Sequence, residues 1–371
     1  MDKTFRMEEE LIYKIALTLI PGIGDVLGKK LVAYSGGAEA VFKQKKSALL
    51  KIPGIGTIFA NAVLRQQVFG QAEAEVYFME KHGIKPFFYL DDEYPYRLKQ
   101  CADSPLMLYF KGVADLNPPK IIGIVGTRKP TPFGKDLCTD LVAALQSVQV
   151  CVVSGLAYGI DICAHKTCLK QKLSTVGVLA HGLDMVYPAL HKPIADEMIL
   201  NGGLLTDYPS ATKPEKENFP RRNRIVAGLC DAIIVVESAV EGGSMITAEI
   251  ANSYSREVFA FPGRPNEFLS AGCNRLIKDN KAALIENGAD LIRMMRWEED
   301  KKPKPVQPEL FIELKPEEES VVAVMKDKGN IHIDEISARA GMPVYKISSL
   351  LLNLEFAGIL QSLPGKMYRL N

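Results

Sequence analysis

Between Gly83 and Arg296 the chain alternates short β-branched apolar runs with stretches of helical period, and few folds accept that alternation. The spacing predicts strands over Ile121–Val125, Val150–Ser154, Thr175–Ala180, Leu204–Asp207, Ala232–Glu237 and Val258–Phe261. Helices are expected between them, over Pro132–Gln146, Asp161–Lys170, His191–Leu200 and Met245–Ser255. Strands that are apolar almost throughout and separated by helices belong to a parallel sheet covered on both faces. The expected fold class is α/β, a Rossmann-like doubly wound parallel sheet.

A length of 371 residues exceeds one compact core, and two further regions flank the α/β pattern. Residues 1–82 read as helical and contain two echoes, Leu19-Ile-Pro-Gly-Ile-Gly24 and Lys51-Ile-Pro-Gly-Ile-Gly56. Each is a helix-hairpin-helix (SAM-like) pattern, in which glycines allow a tight turn that offers backbone N–H groups at the next helix start. Such hairpins serve either DNA contact or helix and protein packing. The α/β domain spans 83–298, and 299–318 is a charged, proline-stiffened linker. In 319–371, two helical segments, Ile333–Ala340 and Val344–Glu355, precede a hairpin turning at Pro364-Gly365. That order predicts a winged helix, a module that binds either DNA or protein.

Composition excludes several classes. No apolar run approaches the roughly 20 residues that cross a bilayer, and the charged start Met1 to Glu10 has no signal-peptide core. Seven scattered cysteines point to a reducing cytoplasm. Cys163, His165 and Cys168 have no second matching pair, so no metal site is expected. No Gly-x-Gly-x-x-Gly is followed by an acid some 20 residues on, and no Walker Gly-Lys-Thr/Ser occurs. No cofactor is expected. Glu237 and Asp161 have the chemistry for acid–base work, but strand-end and helix-cap roles suit them equally, and His165 and His181 have no nucleophile partner; no catalytic residue is assigned. Net charge is only +1, from 45 basic and 44 acidic residues, so any anion site must be local.

Ligands of open parallel sheets bind beyond the carboxyl ends of the strands. Gly126-Thr-Arg-Lys129, with Gly126, Thr127 and Arg128 foremost, follows the first strand of the series. Ser154 and Gly155 open the glycine-rich turn after the second. Glu241-Gly-Gly-Ser-Met-Ile-Thr247 brings Gly243, Ser244 and Thr247 to another helix start. Phe219-Pro-Arg-Arg-Asn-Arg-Ile225, with Lys216 before it, sets Arg221, Arg222, Asn223 and Arg224 beside an aromatic face. Guanidinium forks suit phosphate, and a ring suits a base. By itself this run reads equally as a solvated basic turn. The predicted site joins all these residues in one phosphate-binding crevice.

The chain resembles the DNA-processing protein A (DprA/Smf) family. Tyr94-Pro-Tyr-Arg-Leu98, Pro105 to Gly112, Ile124-Val-Gly-Thr-Arg128, Ser154 to Asp161 with Ala164-His165, and Gly182-Leu-Asp-Met-Val-Tyr-Pro188 carry the likeness. Phe219 to Arg224, Gly243-Ser-Met-Ile-Thr-Ala248, Pro262-Gly263 and Gly272 to Ile277 continue it in order. The resemblance implies a non-enzymatic cytoplasmic protein that binds single-stranded DNA, protects it, and loads the recombinase RecA onto it during natural transformation or related recombination. It also implies a homodimer formed through the Rossmann-like domain. In its terms Arg128 contacts phosphate, Arg222 and Arg224 form the basic pocket, and Phe219 stacks on a base near Lys216. Tyr158 stands where some relatives carry a base, and Gly242 where serine is frequent.

A rival reading is an enzyme. Glu241 to Glu249 loosely resembles the Pro-Gly-Gly-x-Gly-Thr-x-x-Glu segment of nucleoside-monophosphate phosphoribohydrolases (the LOG type), but the inner glycine is absent and the threonine is displaced by one. A third is an adaptor that uses its helical and winged modules for protein contacts.

Overall fold

The computed structural model describes residues 3–298, 314–326, 329–363 and 365–370, and it divides into two compact units, Met1–Glu298 and Glu299–Asn371. The helical start of the first unit comprises α1 (Lys3–Leu19), α2 (Asp25–Ser35), α3 (Ala38–Phe42), α4 (Lys46–Leu49), α5 (Thr57–Arg65) and α6 (Phe69–His82). Its two hairpins repeat one turn. Gly22 and Gly54 hold φ of +80° and +89°, and Ile23 and Ile55 N–H donate to Ile20 and Ile52 at 3.1 and 3.0 Å. All four isoleucines are buried.

A nine-stranded sheet follows: β1 (Lys85–Phe88), β2 (Met107–Gly112), β3 (Ile121–Val125), β4 (Cys151–Ser154), β5 (Thr175–Val178), β6 (Gly203–Thr206), β7 (Ala232–Val235), β8 (Glu257–Ala260) and β9 (Ala283–Leu284). The spatial order is β1-β2-β6-β5-β4-β3-β7-β8-β9. β3 to β9 are parallel, while β1 and β2 join antiparallel at the β6 edge. β1 and β2 were not expected from the sequence. Pro86 suits the outermost strand, where a missing N–H interrupts no ladder.

The alternation anticipated for the parallel strands is present. Ile122 and Ile124 face one core and Ile121 and Val125 the other, all buried. The first core is closed by α8 (Pro132–Leu145), α9 (Ile160–Lys170) and α14 (Gly288–Met294). Helix α10 (Lys192–Asn201) packs against α9, β5 and β6. The opposite core is closed by α7 (Tyr96–Lys99), α11 (Asn218–Leu229), α12 (Gly243–Ser253) and α13 (Ala271–Lys278). The helical segment buries its apolar side partly against Phe88, Leu106, Met107 and Tyr109 of the β1–β2 region.

In chain order the parallel strands run from β3 outward to β6, then return to build β7, β8 and β9 on the other side of β3. The β3/β7 boundary is the topological switch point, where doubly wound sheets open a crevice beyond their strand ends.

The second unit contains α15 (Pro316–Met325), α16 (Ile333–Ala340) and α17 (Val344–Phe356) over a sheet of β10 (Ile331–His332), β11 (Leu360–Leu363) and β12 (Met367–Leu370), ordered β10-β12-β11. This is a winged helix. Helix α15 begins inside the stretch read as linker, because Pro316 in its first turn and Glu317 to Glu319 favour a helix start. The rest of that linker, 299–313, and Pro364 of the expected turn lie outside the described residues. Among the described residues no helix is long and apolar enough to cross a membrane.

Candidate functional site

A cleft of about 820 Å³ opens at the switch point. Its floor and walls come from the loop after β3, the turn after β4, the first turns of α11 and α12, and the loop after β8.

The β3 loop is held from both sides. Thr127 N–H donates to Glu237 O at 2.7 Å, while Thr127 O accepts from Ile160 N–H at 3.2 Å. The Glu237 carboxylate takes Thr131 N–H at 2.8 Å and Thr131 Oγ1–H at 2.7 Å, and Thr131 caps α8. Glu237 is thereby a clamp, with both oxygens engaged. Gly159, at φ +84°, lets this loop come close: a Cβ there would lie 2.1 Å from Thr127 O. Arg128 emerges exposed from this rigid loop, its guanidinium 5.7 Å from the centroid of the Phe219 ring. Tyr187 tilts against Phe219 with centroids 5.9 Å apart. The backbone N–H of Tyr187 donates to His181 Nε2 at 3.2 Å, which leaves Nδ1 of that ring as the donor to Gly182 O at 2.8 Å. Phe268, 77% exposed, completes the aromatic lining.

The segment 219–225, read alone equally as an anion site or a solvated basic turn, is the first half of a helix. Pro220 lies in the first turn of α11, where no N–H is needed. Arg222, Ile225, Val226 and Leu229 recur at helical spacing as its buried face. With about 100° between successive residues, the helix separates the arginines that the sequence sets side by side. Phe219, Arg222, Asn223 and Val226 line the cleft. Arg221 and Arg224 line a smaller cavity of about 270 Å³ with Asp25 and Asp207.

Arg224 is therefore corrected from pocket wall to structural staple. Its Nη2 donates to Asp207 Oδ2 at 2.7 Å and Asp25 Oδ2 at 3.0 Å, and its Nη1 donates to Asp103 O. Asp25 opens α2 and also accepts Leu106 N–H at 2.7 Å, so the first hairpin is tied to the sheet edge. Burial pushes the Asp207 carboxyl up to about 6 against the pull of Arg224.

Arg222 lines the cleft but is 4% exposed. Its Nη1 donates to Gly155 O at 2.8 Å and to Val178 O, and its Nε to Asn223 Oδ1 at 3.2 Å. Asp161 lies near as counter-charge, accepting Gly155 N–H at 3.1 Å. Burial raises the Asp161 carboxyl, and the charge of Arg222 opposes that rise. Arg222 and Asp161 thus brace the floor. Gly155 has no room for a side chain, since a Cβ would meet Arg222 Nη2 at 2.6 Å.

Of the other expected residues, Gly126, Thr127, Lys216, Gly243, Ser244 and Thr247 line the cleft. Ser154 does not; it is fully buried and donates to Ile124 O at 2.6 Å. The hydroxyls of Ser244 and Thr247 are turned to Ser238 Oγ at 2.7 Å and Gly243 O at 3.5 Å. What α12 offers is its start: Gly242 caps it without a side-chain acceptor, leaving the Gly243 and Ser244 N–H groups for an anion while Met245 N–H turns back to Gly242 O at 3.0 Å. A Cβ at Gly242 would lie 2.4 Å from Ser238 Oγ, so a serine here requires that hydroxyl to move. Tyr158 lies outside the cleft, edge-on to His191 at 4.9 Å. His165 is buried, with Nδ1 2.7 Å from Thr175 Oγ1.

Tyr187, Ile246 and Phe268 were missed by sequence reasoning, while Lys129 was counted only as the second base beside Arg128. Among the described residues, no carboxylate pairs with Arg128, Lys129 or Lys216. The cleft thus joins free cations, ring faces and an uncapped helix start, an arrangement that can hold phosphates and stack bases together.

The chain matches the family model of DNA recombination-mediator protein A over residues 85–296, and that of the DprA winged helix domain over 302–366. Protein Smf of Synechocystis is 29% identical, covering 97% of this chain and 98% of that protein. The putative DNA processing protein DprA of Mycobacterium tuberculosis is 33% identical over 74% of each chain. The X-ray structure of DNA processing protein A from Streptococcus pneumoniae superposes with a TM-score of 0.66 at 31% identity, covering 76% of this chain and 97% of that one. A Helicobacter pylori DNA processing protein A, solved for its single-stranded DNA binding mode, superposes at 0.53 with 31% identity, covering 57% and 95%.

Proposed function

This chain belongs to the DNA-processing protein A (DprA/Smf) family, and we propose that it binds single-stranded DNA in the switch-point cleft without chemical turnover. The observation that carries this reading is the set of cations, Arg128, Lys129 and Lys216, that pair with no carboxylate among the described residues and surround the rings of Phe219, Tyr187 and Phe268. A single strand can turn its bases onto those rings while its phosphates meet the cations and the α12 start. A duplex keeps its base faces stacked away. The Helicobacter relative's single-stranded DNA binding supports the same assignment. The candidate acids favour binding over catalysis: Glu237 is committed to Thr131, and Glu249 pairs with Lys281 at 2.7 Å outside the cleft.

In the fuller reading, the protein protects incoming DNA and passes it to RecA in the cytoplasm, as a homodimer formed through residues 83–298. The family description as a recombination mediator supports the hand-over. Anisotropy titration of labelled single-stranded and duplex oligonucleotides over a salt series tests the binding. Single strands should bind more tightly, with an affinity that falls as salt rises. Equal affinity for duplex, or release of free base from nucleoside monophosphates, would overturn the reading. For the hand-over, adding the protein should shorten the lag of RecA filament assembly on single strands; an unchanged lag would remove it.

A further inference from the structure

Helices α8 and α9 pack side by side, and each begins directly after a loop that lines the cleft. Cys138 on α8 and Cys163 on α9 meet across that seam. Cys163 Sγ lies 3.9 Å from Thr139 Oγ1, the residue after Cys138, and 3.8 Å from Lys135 O, one turn before it. In return Cys138 Sγ lies 3.9 Å from Ile160 O, one turn before Cys163. Each sulfur thus packs against the backbone of the helix that carries the other. Cys138 is fully buried and Cys163 half-buried, so Cys163 is the more accessible residue of the pair.

We propose that Cys163 and Cys138 form an oxidation site, in which a peroxide oxidises Cys163 and Cys138 resolves it to a disulfide that staples α8 to α9. The Cys163 thiolate attacks one peroxide oxygen, the O–O bond breaks, and the departing oxygen leaves as hydroxide or alkoxide and takes up a proton. Cys163 becomes a sulfenic acid, a two-electron oxidation. The Cys138 sulfur, giving up its proton, then attacks the Cys163 sulfur and the hydroxyl leaves as water. The net change is two thiols and one peroxide to one disulfide, with water and a second water or an alcohol. Thiolate character selects the attacking sulfur. The neighbouring Cys138 thiol pulls the Cys163 thiol down to about 6, while the same neighbour and burial raise Cys138. Attack and resolution are thereby divided between the sulfurs.

Limiting hydrogen peroxide is added to the full chain, free thiols are alkylated, and non-reduced peptides are weighed. A Cys138–Cys163 linked peptide is expected as the main product, two hydrogens lighter than the reduced pair and abolished by dithiothreitol. The oxidised protein should melt several degrees higher, because the link restrains the unfolded chain. In Cys138→Ala, Cys163 should stop at a sulfenic acid trapped by dimedone. Wild-type protein in which Cys163 accumulates as sulfenic or sulfinic acid while Cys138 is alkylated would overturn the proposal. So would survival of both thiols at a peroxide dose that oxidises free cysteine. The wild-type reading stands even if the variant fails to fold.

Discussion

Arg224→Ala separates a structural from a ligand-binding role for the arginines of α11. The side chains of Arg224, Asp207 and Asp25 are 15%, 11% and 31% exposed, so the three charges are mostly out of water. Removing one partner from a buried pair costs about 3–5 kcal/mol. Water at Asp25 and protonation of Asp207 soften the loss, placing the expected destabilisation at about 2–4 kcal/mol. Urea unfolding followed by far-ultraviolet circular dichroism should show it as a lower midpoint at unchanged slope. Single-strand affinity, measured in the cold where the variant stays folded, should change less than about threefold, since a rim effect of this kind is worth under about 0.7 kcal/mol. Arg128→Ala should show the reverse: stability within about 0.5 kcal/mol of wild type, and affinity lower by about 1.5–3 kcal/mol, the value of a hydrogen bond to a charged group. An Arg224→Ala protein of normal stability that no longer binds DNA would show Arg224 to be a ligand-binding residue and not a staple.

Other outcomes follow from the same geometry. Phe219→Ala should weaken single-strand binding by about 1–3 kcal/mol, with Phe219→Trp restoring it, because stacking needs a ring rather than a particular ring; equal loss in both would indicate a packing role, read by anisotropy. Burial drives His165 down to about 3 from 6.5. The unfolded chain takes up a proton below 6.5 that the folded chain refuses until about 3, so stability should fall as pH drops through that window. Between pH 7 and 5 the expected loss from His165 is about 2 kcal/mol. Burial also lowers His181, which acts in the same direction. Urea midpoints of wild type and His165→Asn across pH should converge as pH falls, and parallel curves would contradict the assignment.

The parallel strands were legible because burial on both faces forces near-continuous apolar runs such as Ile121–Val125 and Ala232–Val235. β1 and β2 were not, since Lys85, Pro86 and Lys111 interrupt them and their antiparallel pairing imposes no such pattern. In 219–225 the clustered charge masked helical period, whose apolar members Ile225, Val226 and Leu229 come only at the end. Arg222 and Arg224 look equivalent in sequence. Their fates differ because the partners of Arg224 lie 17 and 199 positions away, a pairing that spacing cannot reveal. Tyr187 and Phe268 sit on loops without periodicity, and only the closure of the sheet brings them beside Phe219.

Ultraviolet crosslinking of a short oligothymidylate to the full chain, with the attachment sites mapped by peptide mass spectrometry, bears most directly on where the strand lies. Crosslinks should concentrate on Phe219, Tyr187 and Phe268, and should be lost together when Arg128 is replaced by alanine. Crosslinks confined to α17 or to the hairpins at Gly22 and Gly54, undiminished by Arg128→Ala, would contradict the assignment of the cleft as the single-strand site.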